Sequence, residues 1–310
     1  MVTDAPLHVV TGAFGYSGRY IAKELLERGV RVRTLTNSLH RENPFGDAID
    51  VHPIEFGDRD ALVDSLRGAV ALYNTYWVRY DYRGGTREFG YDLAVERTRI
   101  LFECARQAGV GRLVHLSVAN AREDSDWGYF RGKALLERDL EASGMSHAIV
   151  RPTVIFGGPE NVLINNIAWF LRHFPVFGLF GSGEYRLTPV HVEDLATICV
   201  DAADGDLNET LDAVGPETFT YKELIHQMAG AMGLHRLIVP VPDLVLLLAG
   251  RALGLLLQDI VITRHEISGL RDELMYTGTP ALGGTSFTDW LHAEADTLGR
   301  SYTNDLKRRR

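Results

Sequence analysis

The sequence predicts a doubly wound, parallel α/β sheet with a smaller, mostly helical region after it. Three observations carry this expectation. An apolar run, Leu7–Thr11, leads straight into a glycine-rich turn, Gly12-Ala13-Phe14-Gly15-Tyr16-Ser17-Gly18, and then into a helical pattern. Short Val-, Leu- and Ile-rich runs alternate with helical stretches through the first half of the chain. Continuous apolar runs suit strands buried on both faces, as strands between two helix layers are. Gly29, Gly68, Gly109 and Gly144 follow the helical stretches, where a left-handed C-cap is needed.

Strands are expected at Leu7–Thr11, Val30–Thr36, Val51–Glu55, Val70–Asn74, Arg112–Ser117 and His147–Arg151, with helices at Tyr20–Glu27, Arg59–Leu66, Tyr91–Gln107 and Tyr129–Ala142. This βα rhythm implies a parallel sheet with helices on both faces. It breaks after Pro152, at Gly157-Gly158-Pro159. A helix over Ile164–Arg172, a loop punctuated by Gly178, Gly181 and Gly183, and a return strand at Val190-His191-Val192 come next. Glu193 and Asp194 open a helix, Leu195–Ala203, at its favourable dipole end. A strand over Thr210–Val214 follows, and the chain from Tyr221 onward reads as mostly helical. The expected organisation is a dinucleotide-binding domain of residues 1–155 plus 186–216, and a substrate or cap region of residues 156–185 plus 217–310.

The composition is that of a globular protein: 310 residues, 45% hydrophobic and 24% charged. A formal net charge of −9 argues against nucleic-acid binding. The terminal Lys307-Arg308-Arg309-Arg310 reads as a solvated end. Cys104 and Cys199 lie singly in apolar stretches, as small buried hydrophobes do, and no His/Cys/Asp/Glu spacing suggests a metal. His8 and His115 fall in strands and read as satisfied core histidines, and His191 as structural. No signal-peptide pattern is visible, so a cytoplasmic setting is expected. The apolar segment 237–262 is interrupted by Asp243 and Arg251 and lacks the ~20 apolar residues of a membrane span. Read as a helix from Asp243, it places Asp243, Gly250, Arg251, Gly254 and Gln258 on one narrow stripe. Such a helix is expected to bury most of its surface as a core helix of the cap. The alternatives are a lid over a lipophilic substrate, a homodimer contact, or a membrane-surface element through 244–257.

A strand, a glycine turn and a helix together make a phosphate cradle, in which backbone N–H groups approach a pyrophosphate at the positive helix end. Gly12, Phe14, Gly15, Tyr16 and Gly18 are the candidate residues of that cradle. A carboxylate about twenty positions past the glycines would select NAD by its ribose hydroxyls. This chain has Leu35-Thr36-Asn37-Ser38-Leu39-His40-Arg41 there. Asn37 and Arg41 suit a 2′-phosphate, so the pattern favours NADP, with NAD the alternative. Asp58, after the third strand, suits either the adenine amino group or the cap of the following helix.

Ser117 ends the fifth strand, at the carboxyl edge where open α/β sheets bind ligands. Tyr129 and Lys133 lie four apart, on one helix face. An ammonium beside a phenol stabilises phenolate and makes the tyrosine a usable acid/base. Ser117, Tyr129 and Lys133 are therefore the candidate catalytic residues.

At these residues the chain resembles the extended and atypical short-chain dehydrogenase/reductases. The matching features are the Thr11–Gly18 turn, Gly57-Asp58, Ser117, Tyr129 with Lys133, Arg151-Pro152-Thr153-Val154-Ile155-Phe156-Gly157, and Val190-His191-Val192-Glu193-Asp194-Leu195-Ala196. They run in family order over about the first 200 residues. The branch is similar to the NADPH-binding accessory subunit of respiratory complex I and to NmrA-like redox sensors. The resemblance implies a Rossmann domain, an NAD(P) cofactor and a variable substrate region. It also implies cofactor contacts from Asn74, Lys133 and Pro152. Two departures stand out. Only residues 118 to 128 separate Ser117 from Tyr129, and Tyr76-Trp77 stand where small residues are usual. The expected function is hydride transfer between a nicotinamide and a small-molecule carbonyl or alcohol. The alternative is an NADP(H)-holding redox sensor or assembly subunit without turnover.

Overall fold

The strands of the first half pair edge to edge into one parallel sheet. The computed structural model describes residues 5–79, 81–84 and 87–308. Along the chain come β1 (Leu7–Thr11), α1 (Tyr16–Glu27), β2 (Arg31–Thr36), β3 (Ile49–Pro53), α2 (Arg59–Leu66) and β4 (Ala69–Asn74). They are followed by β5 (Tyr82–Gly84), β6 (Arg87–Phe89), α3 (Tyr91–Ala108), β7 (Arg112–Leu116), α4 (Gly128–Ala142) and β8 (His147–Pro152). Next are β9 (Ile155–Phe156), α5 (Leu163–His173), β10 (Val176–Phe180), β11 (Arg186–Leu187), β12 (Val190–His191), α6 (Val192–Ala203) and β13 (Glu209–Ala213). The chain finishes with β14 (Phe219–Thr220), α7 (Tyr221–Ala231), β15 (Leu237–Val241), α8 (Asp243–Leu257), α9 (Arg264–Arg271), α10 (Phe287–Glu294) and α11 (Asp305–Arg308). Arg309 and Arg310 of the basic end lie outside the described residues.

Two compact units form: Met1–Pro152 with Glu193–Ala213, and Thr153–Val192 with Val214–Arg310. The first unit holds a seven-stranded sheet in the order β13-β8-β7-β4-β1-β2-β3. Every pairing in it is parallel. The α/β fold with a doubly wound sheet is therefore as expected. All residues of β1 and β7 are buried, as strands between two helix layers are, including His8, Thr11, Arg112 and His115. The four glycines expected to close helices, Gly29, Gly68, Gly109 and Gly144, take left-handed backbone at φ +71° to +79°. Strand order reverses between β1 and β4, so the ends of these two strands, Thr11 and Asn74, mark the switch point where such sheets bind ligands.

The second unit differs more from expectation. Its core gathers Phe156, Leu171, Leu179, Leu224, Ile225, Phe287 and Leu291. Leu237–Val241 is a strand rather than helix, paired in parallel with Val176–Phe180. Gly178 thus lies within a strand and not in a loop, and a Cβ there would sit 2.6 Å from Leu246 Cδ2.

Helix α8 overturns the core-helix expectation. It exists as read, but none of its residues is buried, and Leu255 and Leu256 are 84% and 80% exposed. Leu246 and Leu247 pack on the core of this unit, while Arg251 and Gln258 of the expected stripe stay exposed and Gly250 and Gly254 allow close approach. A Cβ on Gly250 would come 2.9 Å from Ile262 Cγ2, and one on Gly254 would come 2.7 Å from the Asp259 carbonyl oxygen. Asp243 pairs with Arg271 at 2.6 Å. Among the described residues no helix is long and apolar enough to cross a membrane.

Candidate cofactor and active site

The glycine turn is held from below by hydroxyl groups. Thr34 on β2 accepts from the Ala13 N–H at 3.0 Å and donates to the Val10 carbonyl at 3.0 Å. Gly12 adopts φ +70°, and its N–H reaches the Leu35 carbonyl at 2.8 Å. Gly18 lies so close that a Cβ would fall 2.4 Å from the Gly12 carbonyl oxygen, so any larger residue would force the turn open. The N-cap of α1 is Gly15, with no side-chain cap and no acidic residue in the first turn. An anion is therefore the natural complement of this helix end.

A polar clasp joins the turn to the end of β4. Thr11 Oγ1 accepts from the Thr75 N–H at 2.8 Å, and Thr75 Oγ1 donates to the Thr11 carbonyl at 2.5 Å. Asn74 Oδ1 accepts from the Tyr76 N–H at 3.1 Å and stands 3.3 Å from Thr11 Oγ1. The Asn74 amide donates to His115 Nδ1 at 3.0 Å. Burial, with the neighbouring Lys133 charge second, holds His115 well below the usual imidazole value, so it serves as a neutral acceptor. The expectation of a satisfied His115 fails by one atom, since its buried Nε2 has no hydrogen-bond partner. His8 Nδ1 shares a 3.0 Å hydrogen bond with the Tyr73 hydroxyl.

Ser117 and Lys133 meet through the end of β7. Lys133 is 2% exposed, and its Nζ donates to the Leu116 carbonyl at 2.5 Å. Burial pushes the ammonium down to about 7, opposed by the charge of Glu137. Glu137 is itself bound by Arg151 through two bonds, at 3.0 and 2.5 Å. Ser117 is 3% exposed, and its backbone N–H reaches the Val150 carbonyl at 2.7 Å. Its hydroxyl is buried with no hydrogen-bond partner among the described residues. A buried hydroxyl left unmatched in a packed protein is unusual and suits a ligand oxygen. Tyr129 joins the group through Trp77, whose ring stands nearly perpendicular to it at 5.8 Å. Pro152 ends β8 and accepts from the Ala119 N–H at 2.9 Å, beside the Ser117 segment.

The remaining predicted residues lie farther out. Asp58 is exposed and caps α2, accepting from the Ala61 N–H at 3.0 Å. Asn37 is exposed, and Arg41 closes a turn through its N–H to the Ser38 carbonyl at 3.0 Å. Phe14 is buried in the turn, and Tyr16 begins α1. Nothing in the residue pattern marked the hydrogen-bonding roles of Thr11, Thr34 and Thr75. A threonine at a strand end is common, and only the sheet order brings these three to one edge. Among the described residues no three His, Cys, Asp or Glu side chains are placed to hold a metal ion.

An uncapped helix end, a turn that a Cβ would fill and a buried, unmatched serine hydroxyl all fit a dinucleotide. Fold and cradle together define a nucleotide-binding α/β protein. The family model for NAD(P)H-binding proteins matches residues 12–166, and the chain belongs to that family. It is 27% identical over 228 residues to NADH dehydrogenase [ubiquinone] 1 alpha subcomplex subunit 9, mitochondrial, of Arabidopsis thaliana. The match covers 71% of this chain and 56% of that protein. The Mus musculus counterpart is 30% identical over 242 residues, covering 75% of this chain and 62% of its own length. The chain thus spans less than two thirds of these relatives. Ceramide reductase of Caulobacter vibrioides is 28% identical over 257 residues, covering 81% and 78%. Triphenylmethane reductase of Citrobacter sp., solved with NADP(H), shares the fold at a TM-score of 0.72 and 14% identity, over 93% of this chain and 99% of that one.

Proposed function

We propose that this chain is an NADP(H)-dependent oxidoreductase, or an epimerase-like relative of one, acting on a small carbonyl or alcohol compound. The observation that carries this reading is the buried Ser117 hydroxyl without a partner, one residue from the carbonyl that Lys133 grips. When bound, the nicotinamide would supply or accept the hydride. Gly12, Gly15 and Gly18 would admit the pyrophosphate to the α1 end, with Phe14 and Tyr16 beside it. Asn37 and Arg41 would face the 2′-phosphate, Asp58 the adenine, and Asn74 and Pro152 the nicotinamide side. The Ser117 hydroxyl would donate to the substrate oxygen and orient it. The Tyr129 phenol would give or take the proton on that oxygen. Lys133 would favour the phenolate while charged and hold the ribose.

A second reading keeps the cofactor without turnover, as a sensor or as one subunit of an assembly. The observation in its favour is that Lys133 is already engaged by Leu116 and buried. The similarity to complex I subunits supports it as well.

The deciding experiment follows NADPH absorbance of the purified protein against a panel of carbonyl compounds, with NADPH and NADH affinity measured by nucleotide fluorescence. Turnover that Tyr129→Phe abolishes, at unchanged NADPH affinity, is the expected result. Tight NADPH retention with no oxidation by any compound overturns the enzyme reading in favour of the second.

A further inference from the structure

Two glycines sit one turn apart at the start of α4, each just before a candidate catalytic residue: Gly128-Tyr129 and Gly132-Lys133. Glycine weakens a helix, so two in its first turns call for a reason. Each glycine seats an aromatic ring. A Cβ on Gly128 would fall 2.7 Å from Tyr91 Cδ2. One on Gly132 would fall 2.8 Å from Trp77 Cη2 and 3.3 Å from Cζ2. The Trp77 ring, so seated, touches both members of the pair. Its face lies over the Lys133 ammonium, with Nζ 4.5 Å from a ring centroid. It stands nearly perpendicular to the Tyr129 ring, with centroids 5.8 Å apart at 89°. Tyr91 stacks on the indole at 6.2 Å and 16°, and also meets Tyr129 at 6.0 Å. The Trp77 indole N–H is buried with no acceptor among the described residues.

We propose that Trp77 is the positioning residue of the Tyr129–Lys133 pair: its π face holds the buried ammonium toward the Leu116 carbonyl, and its perpendicular contact fixes the phenol ring. This rests on the reading that the pair carries the site's chemistry. A buried ammonium needs compensation, and the face of an indole ring supplies it without a second charge. The other titratable groups coupled to Lys133 are His115 on β7 and Glu137 on α4, with Tyr129 one turn away on its own helix. His115 is neutral and Glu137 is already paired with Arg151, so the indole face is the contact that substitution at position 77 removes selectively.

The test reads the ionisation of Lys133 directly. The chain has four lysines, Lys23, Lys133, Lys222 and Lys307, so carbon-13 labelling of lysine side chains gives a spectrum simple enough to titrate. In Trp77→Leu the midpoint of Lys133 is expected to fall by roughly 0.5 pH unit, and NADPH affinity by about 3- to 10-fold. Trp77→Phe, which keeps a π face, is expected to restore most of the midpoint. Gly132→Ala is expected to weaken NADPH binding by pushing Trp77 off its seat. The double variant Gly132→Ala with Trp77→Phe is expected to recover it, because the shorter ring does not reach the new Cβ. A Lys133 midpoint equal in wild type, Trp77→Leu and Trp77→Phe overturns the proposal, as does a double variant no better than Gly132→Ala. The lysine titration needs no cofactor. It therefore decides the role of Trp77 even where the carbonyl panel shows no turnover and the enzyme reading fails.

Discussion

Asn74 donates to His115 across neighbouring strands, and this bond decides which way the Asn74 amide faces. With its NH2 group committed to β7, its oxygen is turned to Thr11 and to the Tyr76 N–H. The segment that leads to Trp77 thus takes its course from a histidine two strands away from the glycine turn. Replacing His115 by leucine would leave the buried amide without its acceptor. A loss of about 1–3 kcal/mol is expected in urea unfolding, with an unchanged slope. His115→Gln, which can present a carbonyl oxygen, is expected to lose less.

The same histidine gives a pH signature. Its folded value lies well below 6.5 because burial disfavours the charged form. Below pH 6.5 the unfolded chain therefore binds a proton that the folded chain refuses. Stability is full above 6.5 and falls as the pH drops, by up to about 1.4 kcal/mol per unit for each such group. His8, also lowered by burial, acts in the same direction. Unfolding at pH 7.5, 6.5 and 5.5 should show this slope, and His115→Leu should flatten it.

Lys133 sets function against stability. Its ammonium is held at about 7 in the folded chain against 10.5 as a free side chain. Between these values the unfolded chain is the more protonated, so stability rises with pH across the interval. Lys133→Met removes the buried charge. It is expected to raise stability at pH 7 by roughly 1–3 kcal/mol, with the gain shrinking toward pH 10.5. NADPH affinity should fall in the same variant. Thermal melts at pH 7 and 10, alongside nucleotide titration, measure both.

Gly18→Ala places a methyl group 2.4 Å from the Gly12 carbonyl oxygen. The turn must shift by more than a side-chain adjustment. Overpacking of this kind costs about 1–3 kcal/mol. NADPH affinity is expected to drop at least about tenfold, since 1.4 kcal/mol of lost contact suffices for that. Fluorescence titration and a melting curve on the same sample separate the two effects.

The sheet of the first unit was legible because its signals are local. Apolar runs, glycine C-caps and the turn after β1 each act within about ten residues, and the observed strands and helices follow them to within a few positions. The tyrosine–lysine spacing was equally plain, since helical periodicity alone puts both on one face. The clasp of Thr11, Asn74, Thr75 and His115 was hidden, because it depends on β4 lying between β1 and β7. Trp77 was visible only as an unusual residue after β4. That it faces Lys133 and rests on Gly132 follows from how α3, α4 and the β4 end pack.

Helix α8 shows the boundary most sharply. Its existence, span and glycine stripe could be read from periodicity, because those depend on residues three and four apart. Its orientation could not. Leu246 and Leu247 reach the core of the second unit, yet Leu244, Leu248, Leu255 and Leu256 are turned out, while Gly250 and Gly254 approach Ile262 and Asp259. The sequence by itself determined the elements of the first unit, the glycine turn and the reactive side-chain types, all set by short-range backbone preference. The tertiary structure alone decided which faces meet and which buried groups lack partners, because those depend on contacts between residues far apart in the chain.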